Sequence, residues 1–341
     1  MRRAFAGIAL MVPSLAFAGC GGGESATEPP PQSTLSVQAE AYLNEALNIM
    51  QRHSINRYEI DWPSFRRRVL AEAGTARSPA DTYDAIRFAL RELGDNHSFF
   101  RPPSGQSQAL PFASPVSGAP AVDRFDTGVG YLAISAFSGG GEEADALATQ
   151  YHRMIESVDT LGVCGWVVDL RGNLGGNMWP MLAGAGPIVG EGVLGFFVDP
   201  DSVVQTWTYV FGGSQNDGHV VTRVSDPYRL REEDPTVAVL TDSLTASSGE
   251  ATTIAFRGRE KTRSFGGATW GVSTANRSFM LSDGAMMFLT VSTMADRTGQ
   301  LYGSKVVPDE VLEGPRTGDP DTDPVLRSGI EWVTQAGDCG G

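Results

Sequence analysis

The stretch Gly165-Trp166-Val167-Val168-Asp169-Leu170-Arg171-Gly172-Asn173-Leu174-Gly175-Gly176-Asn177 opens on an apolar run that does not alternate and closes on a polar, glycine-rich turn. A short continuous apolar run bounded by turn residues reads as a strand buried on both faces, as in a parallel sheet covered by helices. The same pattern recurs on either side. Gly130-Tyr131-Leu132-Ala133-Ile134 reads as a strand and Glu142 to Val158 as a helix. A helix follows Asn177, a strand covers Val193 to Val198, and Thr236-Val237-Ala238-Val239-Leu240 leads into a helix from Ser248 to Phe256. Strands alternating with helices predict an α/β core built on a mainly parallel sheet. Farther on, Arg277 to Val291 reads as a hairpin around Ser282-Asp283-Gly284.

Toward the N-terminus the period changes. Leu43, Ala46, Leu47 and Met50, then Phe65, Val69 and Leu70, then Tyr83, Ile86, Leu90 and Leu93 recur at helical spacing. Pro63 and Pro79 stand where helices begin. This predicts a helical subdomain over residues 36–102, a Pro/Ser/Gly/Ala-rich connector over 103–127 and the α/β core over 128–341.

The first 19 residues carry Arg2, Arg3, an apolar run and a small-residue exit, the pattern of a signal peptide. Phe17-Ala18-Gly19-Cys20 resembles a bacterial lipobox, with Cys20 lipidated and residues 20–35 a flexible tether; Ala16-Phe17-Ala18 also fits ordinary secretion. The expected place is the bacterial cell envelope, as a periplasm-facing lipoprotein, with a soluble periplasmic or secreted form as the alternative. No other stretch has the apolar length to span a bilayer. Lipidation of Cys20 leaves Cys164 and Cys339, in an oxidising compartment, as a disulfide pair or two free thiols. With 341 residues, 41% of them hydrophobic, the chain can bury a large core, and a formal net charge of −14 argues against a nucleic-acid partner.

Four places carry chemistry. In Thr245-Ala246-Ser247-Ser248-Gly249-Glu250 a serine sits where an apolar strand meets a helix, exposed beside backbone donors of a helix N-terminus. The same residues read as a capping box, Ser247 with Glu250. The glycines of Gly172 to Gly176 let the backbone approach a ligand, suiting half of an oxyanion hole, or simply make a strand-to-helix turn with Arg171 in a salt bridge. His97 alone of the four histidines lies among groups able to fix an imidazole tautomer, Asp95, Asn96 and Ser98. The fourth place is Phe265-Gly266-Gly267-Ala268-Thr269-Trp270-Gly271-Val272-Ser273, followed by Val306-Val307-Pro308-Asp309.

Taken in order from about Leu93 to Val311, these segments resemble the serine peptidases of clan SK: tail-specific (C-terminal processing) proteases, tricorn and the interphotoreceptor retinol-binding repeats. LGDNHSFF is similar to the motif before that family's core, VVDLRGNLGGN to its "DLRxNxGG" element, VAVLTDSLTASSGE to its nucleophile element, FGGATWGVST to its "GxxTxGxx" element and VVPDE to its closing "xxPD". The resemblance implies a crotonase-like, ClpP-like fold, a peptide or protein substrate and no metal or organic cofactor. It implies Ser247 as nucleophile and the amides of Gly175 and Ser248 as an oxyanion hole.

Two departures matter. A connector of ~25 residues cannot hold the PDZ domain of tail-specific members, since independent domains need at least ~50. The lysine of their Ser-Lys dyad is replaced by Val272, and the only lysines, Lys261 and Lys305, lie elsewhere. Tricorn-type members use a histidine from the element before the core, where His97 stands. Their orienting serine and glutamate have no counterpart, since Asn96 precedes His97 and Tyr302-Gly303 holds no acid; Asp95, Asn96, Asp296 and Glu250 are the candidates. The alternative is a non-catalytic ligand- or peptide-binding protein on the same fold, as in the retinol-binding branch. A Ser247 hydroxyl far outside the ~3 Å reach of a His97 nitrogen would favour it.

Overall fold

A computed structural model describes residues 34–104, 119–337 and 339. The signal peptide, Cys20 and the tether to residue 33 lie outside the described residues, as does most of the connector.

Three helices come first, α1 (Val37–His53), α2 (Trp62–Ala73) and α3 (Tyr83–Glu92), capped by Ser36 on α1 and by Asp61, with Pro63, on α2. The strand β1 (Phe99–Arg101) follows. Next comes β2 (Ala121–Arg124), which corrects the expected connector: this alternating, half-exposed stretch pairs as an antiparallel edge strand with β3 (Val129–Ala133). Its flanking prolines and glycines hid so short an element. After α4 (Glu142–Asp159), β4 (Gly165–Asp169) and α5 (Met178–Val189), four strands run in succession: β5 (Gly192–Val198), β6 (Val204–Val210), β7 (Gly213–Asn216) and β8 (His219–Arg223). The chain then forms β9 (Thr236–Thr241), α6 (Ser248–Ala255), β10 (Thr262–Gly266), β11 (Thr274–Met280), β12 (Met286–Asp296), β13 (Glu310–Val311) and α7 (Pro324–Ala336).

The expected parallel sheet is present. Its order is β13-β10-β9-β4-β3-β2, parallel throughout except at β2. Both faces are covered, which explains the unbroken apolar runs. Trp166, Val168, Val237 and Val239 pack with residues of α4, α5 and α6, while Val167, Ala238 and Leu240 pack with Val325, Leu326, Ile330 and Val333 of α7. The sulfurs of Cys164 and Cys339 are bonded, fastening the segment after α7 to the start of β4.

A second, wholly antiparallel sheet, β1-β12-β5-β6-β7-β8 with β11 beside β12, was not expected. Several of its strands are half-exposed and polar, so they lack the apolar run that marks a covered strand. The helices α1 to α3 do not build a core of their own; they share one with Phe100, Leu281, Met287 and Leu289. Tyr42 and Tyr83 both donate to Asp283 at the expected hairpin tip, at 2.8 and 2.6 Å. That packing brings the end of the helical region against β11 and β12. No helix among the described residues is long and apolar enough to cross a membrane.

Candidate active site

The C-terminal ends of the neighbouring strands β4 and β9 lead into two turns that meet, as crevices do at the carboxyl edge of parallel sheets. Asp169, Arg171 and Asp323 brace the first turn. The buried Arg171 guanidinium donates to both carboxylates at 2.7 to 3.0 Å, so the expected salt bridge is doubled and spans to the N-cap of α7. Asn173, also buried, donates to Ile134 O and accepts from the Ala246 amide on its own carbonyl, tying the first turn to the second.

Ser247 is the N-cap of α6 and has φ 52° and ψ −112°. Such a backbone is rare for a residue with a Cβ and costs on the order of 1–3 kcal/mol; it is the kind of strain found where a strand-to-helix turn pushes a nucleophile outward. The capping bond leaves the hydroxyl free for a second contact. The Ser247 amide donates to Glu250 Oε2 at 2.8 Å, the acidic half of a capping box, while the Ser247 hydroxyl lies 3.0 Å from His97 Nε2. The Ser248 amide has no protein acceptor among the described residues and stands at the positive end of α6.

His97 is buried, 4% exposed, in a loop held from both sides. Asp95 accepts from the backbone of His97 and Ser98 and from the Ser98 hydroxyl. Asn276 donates to His97 O, and the Thr290 amide donates to Ser98 Oγ. The ring's other nitrogen, Nδ1, lies 2.8 Å from Thr274 Oγ1. With Nδ1–H donating to Thr274, Nε2 is left to accept from the Ser247 hydroxyl, the tautomer a base requires. Burial lowers the His97 pKa to about 4, and the Asp95 charge offsets only part of that.

The candidate orienting groups lie elsewhere in this geometry. Asp95 builds the loop and makes no hydrogen bond to the ring, and exposed Asn96, at φ 57°, makes none to it among the described residues. Asp296 is occupied by Thr298, Gln300 and Tyr302, and Glu250 by backbone and Thr269. Thr274, a neutral hydroxyl, holds the ring instead. It lies two residues beyond the buried Val272. In sequence, a threonine opening a strand carries no signal that marks it as a partner of a distant histidine.

Gly175 also departs from expectation. Its amide donates to Asn173 Oδ1 at 2.9 Å rather than facing an empty site. What it supplies is room: at φ 94° a Cβ would lie 2.7 Å from Ala246 O and 2.9 Å from both Ser247 Cβ and Ser248 N. Among the described residues no group of His, Cys, Asp and Glu could hold a metal ion. The other histidines are accounted for: His152 is buried, facing Ala183 O and accepting from the Tyr228 amide, His53 ends α1, and His219 begins β8.

Comparison with known proteins agrees with this architecture. A nisin-resistance protein of Lactococcus lactis subsp. lactis is 27% identical over 295 residues, 86% of each chain. A solved lipoprotein from Streptococcus agalactiae superposes with a TM-score of 0.69 at 23% identity, covering 88% of this chain and 97% of its own. The photosystem II D1 C-terminal processing protease gives 0.55 at 17%, covering 88% and 97%. These two share the fold. Residues 128–312, more than half of the chain, match the profile of peptidase family S41, and that span holds both the β4 turn and Ser247, though not His97. By that match, across the core that carries the serine, this chain belongs to peptidase family S41.

Proposed function

We propose that this protein is an exported serine endopeptidase acting through an acyl-enzyme. The observation that carries the reading is the 3.0 Å separation of Ser247 Oγ and His97 Nε2, from residues 150 apart in sequence. The Ser247 oxygen attacks the scissile carbonyl as its proton passes to Nε2, and Thr274 Oγ1 fixes the ring while Nδ1 keeps its proton. The tetrahedral oxyanion receives the Ser248 amide, a donor of a kind worth ~3 kcal/mol in comparable sites. The imidazolium then gives its proton to the leaving amine, and water completes the cycle by the same route. Lys261 and Lys305 take no part.

Export rests on the N-terminal sequence, with anchoring through Cys20 or release as a soluble protein both open to it. The nisin-resistance name of the lactococcal relative and the lipoprotein description of the streptococcal neighbour support an envelope role and a peptide or protein substrate. Ser247→Ala should abolish labelling by a serine-reactive phosphonate while the thermal melt stays that of the parent. Undiminished labelling would remove Ser247 from the mechanism.

A further inference from the structure

Glu250 has a role that neither helix capping nor ring orientation describes. Its side chain is wholly buried and its carboxylate accepts four hydrogen bonds. Oε2 takes the Ser247 amide at 2.8 Å and the Val272 amide at 2.9 Å; Oε1 takes the Thr269 hydroxyl at 2.6 Å and the Gly271 amide at 2.9 Å. A capping box needs only the bond to the N-cap amide. The other three reach a separate segment, 269–272, that runs directly into Thr274.

The bonds close a ring. From Ser247 Oγ it passes to His97 Nε2, across the imidazole to Thr274, back along the chain to the Val272 amide, and through Glu250 to the Ser247 amide. The one carboxylate thus touches the strained backbone of the nucleophile and the segment that aims the base.

We propose that Glu250 is a positioning residue for the Ser247–His97 reaction, holding the nucleophile's backbone and the Thr274 strand in one register so that hydroxyl and imidazole stay at reacting distance. The inference rests on the peptidase reading above. Two donors on each oxygen favour the ionised carboxylate, which accepts without donating, and they oppose the burial that raises the Glu250 pKa. Glutamine in its place keeps the shape but turns an NH2 group toward two donors, opening the ring on one side. Displacements of ~1 Å from remote changes cost catalysis on the order of 100-fold.

The test compares the full chain with Glu250→Gln and Thr269→Val. Phosphonate labelling of Ser247 is timed, and kcat and KM are measured on a peptide that the parent is found to cleave in a mixed peptide pool. Glu250→Gln should label at least about tenfold more slowly and lose kcat in step, with KM changed less than about twofold. Thr269→Val removes one Oε1 donor, together with the acceptor of the Val306 amide, but leaves the Ser247 bond, so it should show a smaller loss of the same kind. A folded Glu250→Gln protein with labelling and kcat within about twofold of the parent overturns the proposal, as does a rise in KM at constant kcat. Should Glu250→Gln fail to fold, Thr269→Val decides, and unchanged labelling in it overturns the proposal. A parent chain that takes no label at Ser247 sinks the peptidase reading and this proposal with it; a labelled parent with unaffected variants sinks this proposal alone.

Discussion

With His97 as the base, kcat/KM must rise with pH through the ionisation of its ring in the free enzyme, and burial decides where. An unperturbed imidazole titrates near about 6.5, the value that the polar loop sequence alone would suggest. The folded ring is held at about 4, because the protonated form would sit in a buried site whose nearest partner, Thr274, carries no charge. At pH 5.5 a base of pKa 4 is about 97% neutral, whereas one of pKa 6.5 is about 9% neutral, so the two cases differ roughly tenfold in activity at one pH. A limb one unit higher still leaves about three quarters of the plateau. The assay is kcat/KM from pH 3.5 to 9, with circular dichroism at each point.

The fold should survive the decisive pH. A ring whose folded pKa lies below its unfolded value contributes stability that is full above about pH 6.5 and is lost as pH falls toward the folded value. By linkage, the lowered His97 pKa costs on the order of 1 kcal/mol at pH 5.5 and a few kcal/mol near pH 4, against a typical total of ~5–15. Buried His152, whose pKa is lowered by desolvation, adds a loss of the same sign. A limb centred at about 6.5, with activity at pH 5.5 near a tenth of the plateau, would refute the burial argument. A limb above about pH 8 would refute a histidine base. The same profile in a Lys261→Ala, Lys305→Ala double variant, beside a loss of several orders of magnitude in His97→Ala, is the expected control.

Two further outcomes test the geometry around that pair. Thr274→Val preserves shape but removes the oxygen facing Nδ1, so kcat/KM should fall on the order of 10–100-fold, as for loss of a buried hydrogen bond of ~1–3 kcal/mol; kinetics equal to the parent's would return the orienting role to another group. Gly175→Ala places a methyl 2.7 Å from Ala246 O at a positive φ, so it should lower stability by at least about 1 kcal/mol and slow phosphonate labelling of Ser247; a parent-like melt and labelling rate would show that the turn has room to relax.

Much of the fold could be read because its signals are local. The run Trp166 to Val168 is apolar on both sides since α5 and α6 lie on one face of β4 and α7 on the other, and neighbouring residues alone reveal that. Ser247 announced itself by position, between a buried strand and a helix. The antiparallel sheet did not, because Val204 to Arg223 mixes polar and apolar residues on strands with one open face.

The contact at the second ring nitrogen of His97 was hidden for a different reason. His97 and Thr274 are 177 residues apart, and only the shared packing of α1 to α3 with β11 and β12 brings them together. A search guided by charge looks for a carboxylate to match an imidazolium, yet the nearest candidates are spent on structure, Asp95 on its loop and Glu250 on the backbone. With a hydroxyl at Nδ1 the resting ring stays neutral. On the proposed mechanism, positive charge on it would be stabilised as the neighbouring oxyanion forms, with each charge within a few ångströms of its opposite in a buried site. A carboxylate at this position would stabilise the imidazolium in the resting enzyme and in the transition state alike; on the peptidase reading, the Thr274 hydroxyl leaves that stabilisation to the oxyanion alone.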